Sequence, residues 1–156
     1  MIEKPLVSII VPCYNVEKYI EKTISTIVTC KNADKIEIIP VNDGSKDNTA
    51  KIINRLINEY SEDKKTSIFN FIDKENGGHG STINAGLKVA TGKYFRVIDG
   101  DDWINSQEMD KLIDKLENET SDIVITDYSE DLAFSNILNH KKIYDFMIPN
   151  IKYDFE

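Results

Sequence analysis

The sequence predicts an α/β domain, a mostly parallel β-sheet with helices on both faces. Short β-branched apolar runs alternate with stretches of helical periodicity between residues 7 and 98. Each helical stretch is long enough for a right-handed crossover between parallel strands. Polar clusters follow the first, second and fourth runs, as expected where parallel strands end together on one sheet edge.

The elements follow in chain order. Val7–Val11 reads as a buried strand stopped by Pro12, and residues 17–28 as a helix with Ile20, Ile24, Ile27 and Val28 on one face. Ile36–Val41 is a second strand, in which Pro40 marks either a weak strand or a sheet edge. Asp43-Gly44-Ser45 is a turn, with Ser45 as N-cap of a helix carrying Ala50, Ile53, Leu56, Ile57 and Tyr60 inward. Ile68–Ile72 is the third strand. The glycine-rich turn Asn76–Gly80 opens a helix with Ile83, Leu87 and Ala90 inward, closed by Gly92 as C-cap. Tyr94–Ile98 is the fourth strand. Asn105 and Glu108 resemble a capping box ahead of a helix with Met109, Leu112, Ile113 and Leu116 inward. Asp122–Thr126 reads as a fifth strand, Leu132–Leu138 as a turn of helix and Ile143–Ile148 as a strand. The alternation is that of a Rossmann-like sheet, whose ligands sit at the carboxyl ends of the strands.

Length and composition narrow the function classes. At 156 residues and 40% apolar content, residues 1–156 fit one domain with a real core. Nineteen basic against 27 acidic residues leave a net charge of −8, and Arg55 and Arg96 are the only arginines. That balance argues against a nucleic-acid partner and against adhesion to an anionic membrane. Cys13 and Cys30 cannot by themselves make a disulfide framework or a zinc site. No apolar run reaches the length of a membrane span. The expected location is the cytoplasm, with a peripheral place at the inner membrane face open to a full-length protein.

Three clusters carry polar chemistry: Pro12-Cys13-Tyr14-Asn15, Asn42-Asp43-Gly44-Ser45 and Asp99-Gly100-Asp101-Asp102-Trp103. The first turn lacks the glycines of a dinucleotide fold, and no P-loop pattern is present, which excludes nicotinamide oxidoreductases and P-loop ATPases. Asp99, Asp101 and Asp102 repel one another unless a cation neutralises them. Hard oxygen donors suit Mg²⁺ or Mn²⁺, which complete their shells with phosphate oxygens and water. A solvated acidic turn capping the next helix is the alternative on residue types alone. Asp43 can accept the imide N–H of a uracil ring and Tyr14 can stack on the base, or they can be an Asx-turn and a packing tyrosine. The loop Asn76–Gly80, including Gly78, can bring backbone amides to a phosphate or sugar, or be a plain tight turn. His79 is expected to face solvent.

Together, Val7–Glu17 (VSIIVPCYNVE), Val41–Thr49 (VNDGSKDNT), Asn76–Gly92 (NGGHGSTINAGLKVATG) and Asp99–Trp103 (DGDDW) resemble family 2 glycosyltransferases. The four motifs recur in order over roughly residues 5–105. The resemblance implies a GT-A fold and inverting transfer of a sugar from a nucleotide-diphosphate donor, UDP favoured, in cell-surface polysaccharide or glycoconjugate synthesis. It places Pro12, Tyr14 and Asp43 on the base with Glu17 nearby, Gly78 and Gly100 among the donor contacts, Asp99 on ribose or diphosphate, and Asp101 as main metal ligand of a DxD motif. Asp99 joins Asp101 at the metal, and the dominance of Asp101 over Asp102 stays open. The implied cofactor is Mn²⁺ or Mg²⁺, and the implied partners are a nucleotide-sugar donor and a hydroxyl acceptor such as a glycan or lipid-linked sugar.

The family's general base, an aspartate in a Glu-Asp pair, lies many tens of residues beyond the DxD motif. This sequence stops about 55 residues after Asp101, and Glu130-Asp131 follows the motif too closely. The expectation is therefore the donor half of a longer enzyme, catalytically incomplete, with Ile143, Phe146, Ile148, Ile151 and Phe155 uncovered and driving homo-oligomer formation. A sugar nucleotidyltransferase and a non-catalytic nucleotide-binding or interaction module are the competing readings. The first should carry a glycine-rich phosphate loop after strand one, which Pro12–Asn15 is not.

Overall fold

The computed structural model describes residues 4–61, 68–132 and 137–141. The chain divides into two compact units, Met1–Asn118 and Glu119–Glu156.

In the first unit the order is β1 (Val7–Cys13), α1 (Ile20–Val28), a 3-10 turn at Ala33–Lys35, β2 (Ile36–Asp43), α2 (Thr49–Ser61), β3 (Ile68–Phe69), β4 (Ile72–Lys74), α3 (His79–Val89), β5 (Tyr94–Val97) and α4 (Ser106–Leu116). All pairings are parallel, in the order β3-β2-β1-β5, with β4 also on β2. Every residue of β1 and β2 is buried, as expected for parallel strands covered on both faces. Ile10, Ile39 and Val41 form a buried cluster against Ile72, Ala85, Ala90 and Val97. The strand order reverses between β1 and β5, and ligand sites of such sheets lie at that reversal.

Two prolines shape the sheet. Pro12 does not stop β1, which runs on to Cys13 and pairs Pro12 with Val41. What it stops is the β1–β5 ladder. Ile98 N donates to Ile10 O at 3.0 Å, but the next bond would need an amide hydrogen on Pro12, and β5 ends at Val97. Pro40 lies inside a strand paired on both sides, not at a sheet edge. It splits the expected third strand in two. Asn70 N donates to Ile38 O at 2.9 Å, Pro40 has no hydrogen to return, and pairing resumes only at Val41↔Ile72.

Other local expectations need correction. Ser45 does not cap α2, because its hydroxyl accepts from Asn15 N and Asp47 takes the Thr49 amide instead. On α3, Thr82 and Gly86 are buried and Ala90 packs on the core as expected, but Leu87 is exposed; a Cβ on Gly86 would sit 2.6 Å from Ile10 Cγ2. Gly92 is not the C-cap, which is Ala90; its hydrogen is needed because a Cβ there would lie 2.6 Å from Ser8 N. Asn105 caps α4 through Gln107 N and Glu108 N, while Glu108 pairs with Lys111 rather than closing the box.

At the amino ends of the strands, Glu37 is 1% exposed and accepts from Ser8 Oγ (2.5 Å), Thr91 N (2.8 Å) and Asn70 Nδ2 (3.0 Å). These bonds satisfy a buried carboxylate without a cation and lock β1, β2 and the loop entering β5 together.

The second unit holds an antiparallel pair, β6 (Tyr128–Leu132) and β7 (Ile137–Lys141). Leu132, Ile137 and Leu138, expected in a turn of helix, lie in these strands, and residues 133–136 of that expectation lie outside the described residues. Asp122–Thr126 is not a strand, and Ile123 and Ile125 are exposed. Ile143–Ile148 and the apolar residues expected to drive association lie outside the described residues. Among the described residues no helix is long and apolar enough to cross a membrane.

Candidate functional site

Strand ends and the loops after them enclose an open cleft of about 450 Å³. Of the residues singled out in the sequence, Pro12, Tyr14, Asp43, Gly78, Asp99 and Asp101 line it together. Cys13, Val16, Asn76, His79 and Thr82 complete the lining.

Asp43 ends β2 and is 3% exposed. Its Oδ1 accepts from Lys74 Nζ and from Gly77 N (2.9 Å), and its Oδ2 accepts from Gly78 N at 2.8 Å. Lys74 stands there because the β2–β4 register sets Asp43 opposite it. Burial works to raise the Asp43 pKa, but the Lys74 ammonium and the two amides outweigh it and hold the carboxyl below its usual range. The loop can bend this way because Gly78 takes φ +83°, a conformation that side-chain-bearing residues rarely adopt. Asn76 Nδ2 closes the same corner on Asp43 O at 2.9 Å.

Tyr14 is half exposed at 49% and faces this corner from the loop after β1. The loop is stitched to the one after β2. Asn15 N donates to Ser45 Oγ (2.9 Å), Lys46 N to Asn15 Oδ1 (2.8 Å), Val16 N to Thr49 Oγ1 (2.9 Å) and Glu17 N to Asp47 Oδ2 (3.1 Å). Glu17 is not part of the cleft lining. Its Oε2 accepts from Asn48 N (2.9 Å) and Asn48 Nδ2 (3.0 Å), which makes it a brace between the loops.

Across the cleft, Asp99 and Asp101 follow β5. Gly100 N donates to Pro12 O at 2.9 Å, and a Cβ on Gly100 would crowd that same oxygen, so only glycine lets the turn lie this close to β1. Gly100 itself is not part of the cleft lining. His79 Nε2 lies 2.8 Å from Asp99 Oδ1, so the histidine expected to face solvent partners an acidic residue while staying 60% exposed. Asp102 is raised above the ordinary carboxylate range, first by burial and then by the charges of Asp101 and Asp99. Burial pushes the Cys13 thiol up to about 12, with Asp101 and Asp99 adding to the shift. That thiol is protonated and unreactive.

The donor chemistry suits a hard divalent cation. Two carboxylates on one wall repel, and they raise a third beside them. Among the described residues no three histidine, cysteine, aspartate or glutamate side chains gather as a closed metal site. A cation here would need oxygens from a ligand. Glu130 faces Lys141 at 3.4 Å within the β6–β7 hairpin.

Asn76 entered the sequence reading only as the start of the glycine-rich loop, and Lys74 and Thr82 were not singled out. The single signal for Lys74 was its place at the end of an apolar run, which becomes informative only through the register with β2.

Known proteins resemble this chain in sequence and fold. The chain is 41% identical over 120 residues to the uncharacterized glycosyltransferase EpsJ of Bacillus subtilis, covering 77% of this chain and 33% of EpsJ. It is 34% identical over 147 residues to the glycosyltransferase GlyA of Streptococcus pneumoniae, covering 89% of this chain and 20% of GlyA. The chain thus spans a third or less of the length of these relatives. Among solved structures, Staphylococcus aureus TarS residues 1–349 in complex with UDP-GlcNAc superposes with a TM-score of 0.61 at 29% identity, over 71% of this chain and 31% of that one. This is the GT-A architecture expected from the motifs. The sequence profile of glycosyl transferase family 2 matches residues 8–154, and the chain belongs to that family.

Proposed function

We propose that this cleft binds a uridine diphosphate sugar together with a divalent cation and presents its anomeric carbon to an acceptor hydroxyl for transfer with inversion. One observation carries the reading. Asp43 is an ionised, nearly buried carboxylate whose two oxygens offer about four acceptor directions. Three are filled by Lys74, Gly77 and Gly78, which leaves one on Oδ2 beside an exposed tyrosine ring. A ring imide N–H is the complementary group, and a base stacked on Tyr14 would supply it. The UDP-GlcNAc complex of TarS supports the same donor class.

Asp99 and Asp101 would hold Mn²⁺ or Mg²⁺, which supplies charge stabilisation to a departing diphosphate. The chain's own residues bind and orient. Asp43 and Tyr14 fix the base, and the loop around Gly78 and His79 closes the side of the cleft. In the transfer, an acceptor oxygen attacks the anomeric carbon from the face opposite the diphosphate. The carbon–oxygen bond to the diphosphate breaks and takes its electron pair with it, while a base removes the hydroxyl proton. We assign that base to no described residue, since Glu130 is engaged with Lys141. A role in making cell-surface glycans belongs to the same proposal.

Titration with UDP, TDP, GDP and ADP in Mn²⁺ tests the reading. UDP and TDP, which share the imide edge, should bind tightest, and ADP binding as tightly as UDP would overturn it. Asp101→Ala should abolish the Mn²⁺-dependent part of UDP binding and leave the far-UV circular dichroism unchanged. Wild-type UDP affinity in the mutant with Mn²⁺ present would reduce the acidic triplet to a capped turn.

A further inference from the structure

The direction of the Asp101 carboxylate is set from a helix. After Ile98 the chain leaves the β1 ladder, and three backbone contacts shape the turn. Gly100 N bonds Pro12 O, Asp102 N bonds Asp99 O at 2.9 Å, and the carbonyls of Gly100 and Asp102 turn toward α1. Both meet one hydroxyl. Thr23 Oγ1 lies 2.6 Å from Asp102 O and 3.0 Å from Gly100 O, with Tyr19 O of its own helix at 3.4 Å. These carbonyls flank Asp101 in the chain, so one hydroxyl, its single proton given to Asp102 O at 2.6 Å or shared with Gly100 O, sits against the backbone that aims the Asp101 side chain.

We infer that Thr23 is a positioning residue for the acidic turn, and that the metal-dependent part of donor binding depends on its hydroxyl. The inference rests on the donor reading above. Thr23 is 1% exposed and β-branched, so its hydroxyl has little freedom, and its neighbours Ile20, Ile24 and Ile27 anchor α1 in the core. The same helix holds the exit of the turn. Ile104 N donates to Thr26 Oγ1 at 3.3 Å, Ser106 Oγ donates to Thr26 O at 2.7 Å, and Lys22 Nζ lies 3.1 Å from the Trp103 ring centroid. α1 therefore fixes the turn over residues 100–106, whose last bond to β1 is that of Gly100 N to Pro12 O. Small hard cations demand near-ideal ligand geometry, so a loosened turn costs cation affinity before it costs base binding.

Thr23→Val removes the hydroxyl and keeps the shape. Calorimetric titration of the whole chain with UDP and with uridine, each in Mn²⁺ and in EDTA, gives the test. The wild type should bind UDP more tightly in Mn²⁺ than in EDTA. Thr23→Val should lose about tenfold or more of that enhancement, the scale seen when the groups behind metal ligands are removed. Its uridine affinity should stay within about twofold of wild type, and Thr23→Ser should restore the Mn²⁺ effect. A Thr23→Val protein that keeps the full enhancement overturns the inference and leaves the donor reading standing. Equal losses for uridine and UDP also overturn it, because they mark a general loosening. A wild type indifferent to Mn²⁺ removes the donor reading, and this inference with it. Should Thr23→Val not fold by circular dichroism, Thr23→Cys, a weaker donor in nearly the same place, is titrated instead. A partial loss of the enhancement then supports the inference, and none counts against it.

Discussion

Asp43 shows what one residue does in this site. Its carboxylate accepts from a lysine and two amides, so replacing it with the isosteric amide points an NH₂ group at converging donors. Asp43→Asn should weaken UDP binding by at least about tenfold, roughly 1.4 kcal/mol or more, read by titration at pH 7. The pH dependence follows from the sign of the shift. A carboxyl held below its ordinary 3.8 stabilises the folded state fully above that value and loses this contribution as pH falls through its lower, folded-state value. Melting temperatures taken from pH 7 to pH 3 should therefore fall more steeply below about pH 4 in the wild type than in Asp43→Asn. Asp43 was legible in the sequence because a carboxylate at a strand end stands out. Lys74 was not, since the contact spans 31 residues and exists only once β4 lies beside β2. Thr23 was hidden for a different reason: a threonine on a helix face reads as neutral until the turn it holds is in place.

Among the elements, the loop pair after β1 and β2 behaves as one body, because Asn15, Val16 and Glu17 are bonded to residues 45–49. Glu17→Ala should weaken UDP and uridine binding alike, several-fold, and leave the ratio between Mn²⁺ and EDTA unchanged. A change confined to the metal-dependent part would show that Glu17 touches the donor rather than bracing Tyr14. Helix α3 offers a packing test. Gly86→Ala drives a methyl group into Ile10, whose Cγ2 lies 2.6 Å from the added carbon. Overpacking of this kind costs about 1–3 kcal/mol, and a denaturant midpoint equal to wild type would show that the helix simply lifts. Periodicity identified every helix of the first unit, but of the residues it turned inward on α3 Ala90 packs on the core while Leu87 is exposed. The apolar residues Ile83 and Leu87 drew attention away from Gly86, where closeness and not hydrophobicity decides the face.

For the molecule as a whole, the two ends of the sheet divide the work. The carboxyl ends hold the cleft, and the amino ends hold the Glu37 network. Glu37→Ala strands Ser8, Thr91 and Asn70 donors in the interior and should cost about 2–4 kcal/mol in chemical denaturation. A loss under about 0.5 kcal/mol would show that water replaces the carboxylate. Most of the parallel sheet was readable because β-branched runs and turn residues agree along residues 7–98. The second unit was not, because Asp122–Thr126 carries a strand's composition yet is not a strand, and composition alone does not decide strand pairing. Pro12 was read as the stop of its strand and Pro40 as a weakness or a sheet edge, yet each lies inside its strand where one bond of a ladder is missing. For protein engineering, a missing amide hydrogen is thus a movable stop on a zipper. Shifting Pro40 by two positions along β2 should change how far β3 and β4 close on that strand, and with it the depth of the cleft, without touching any side chain that lines its walls.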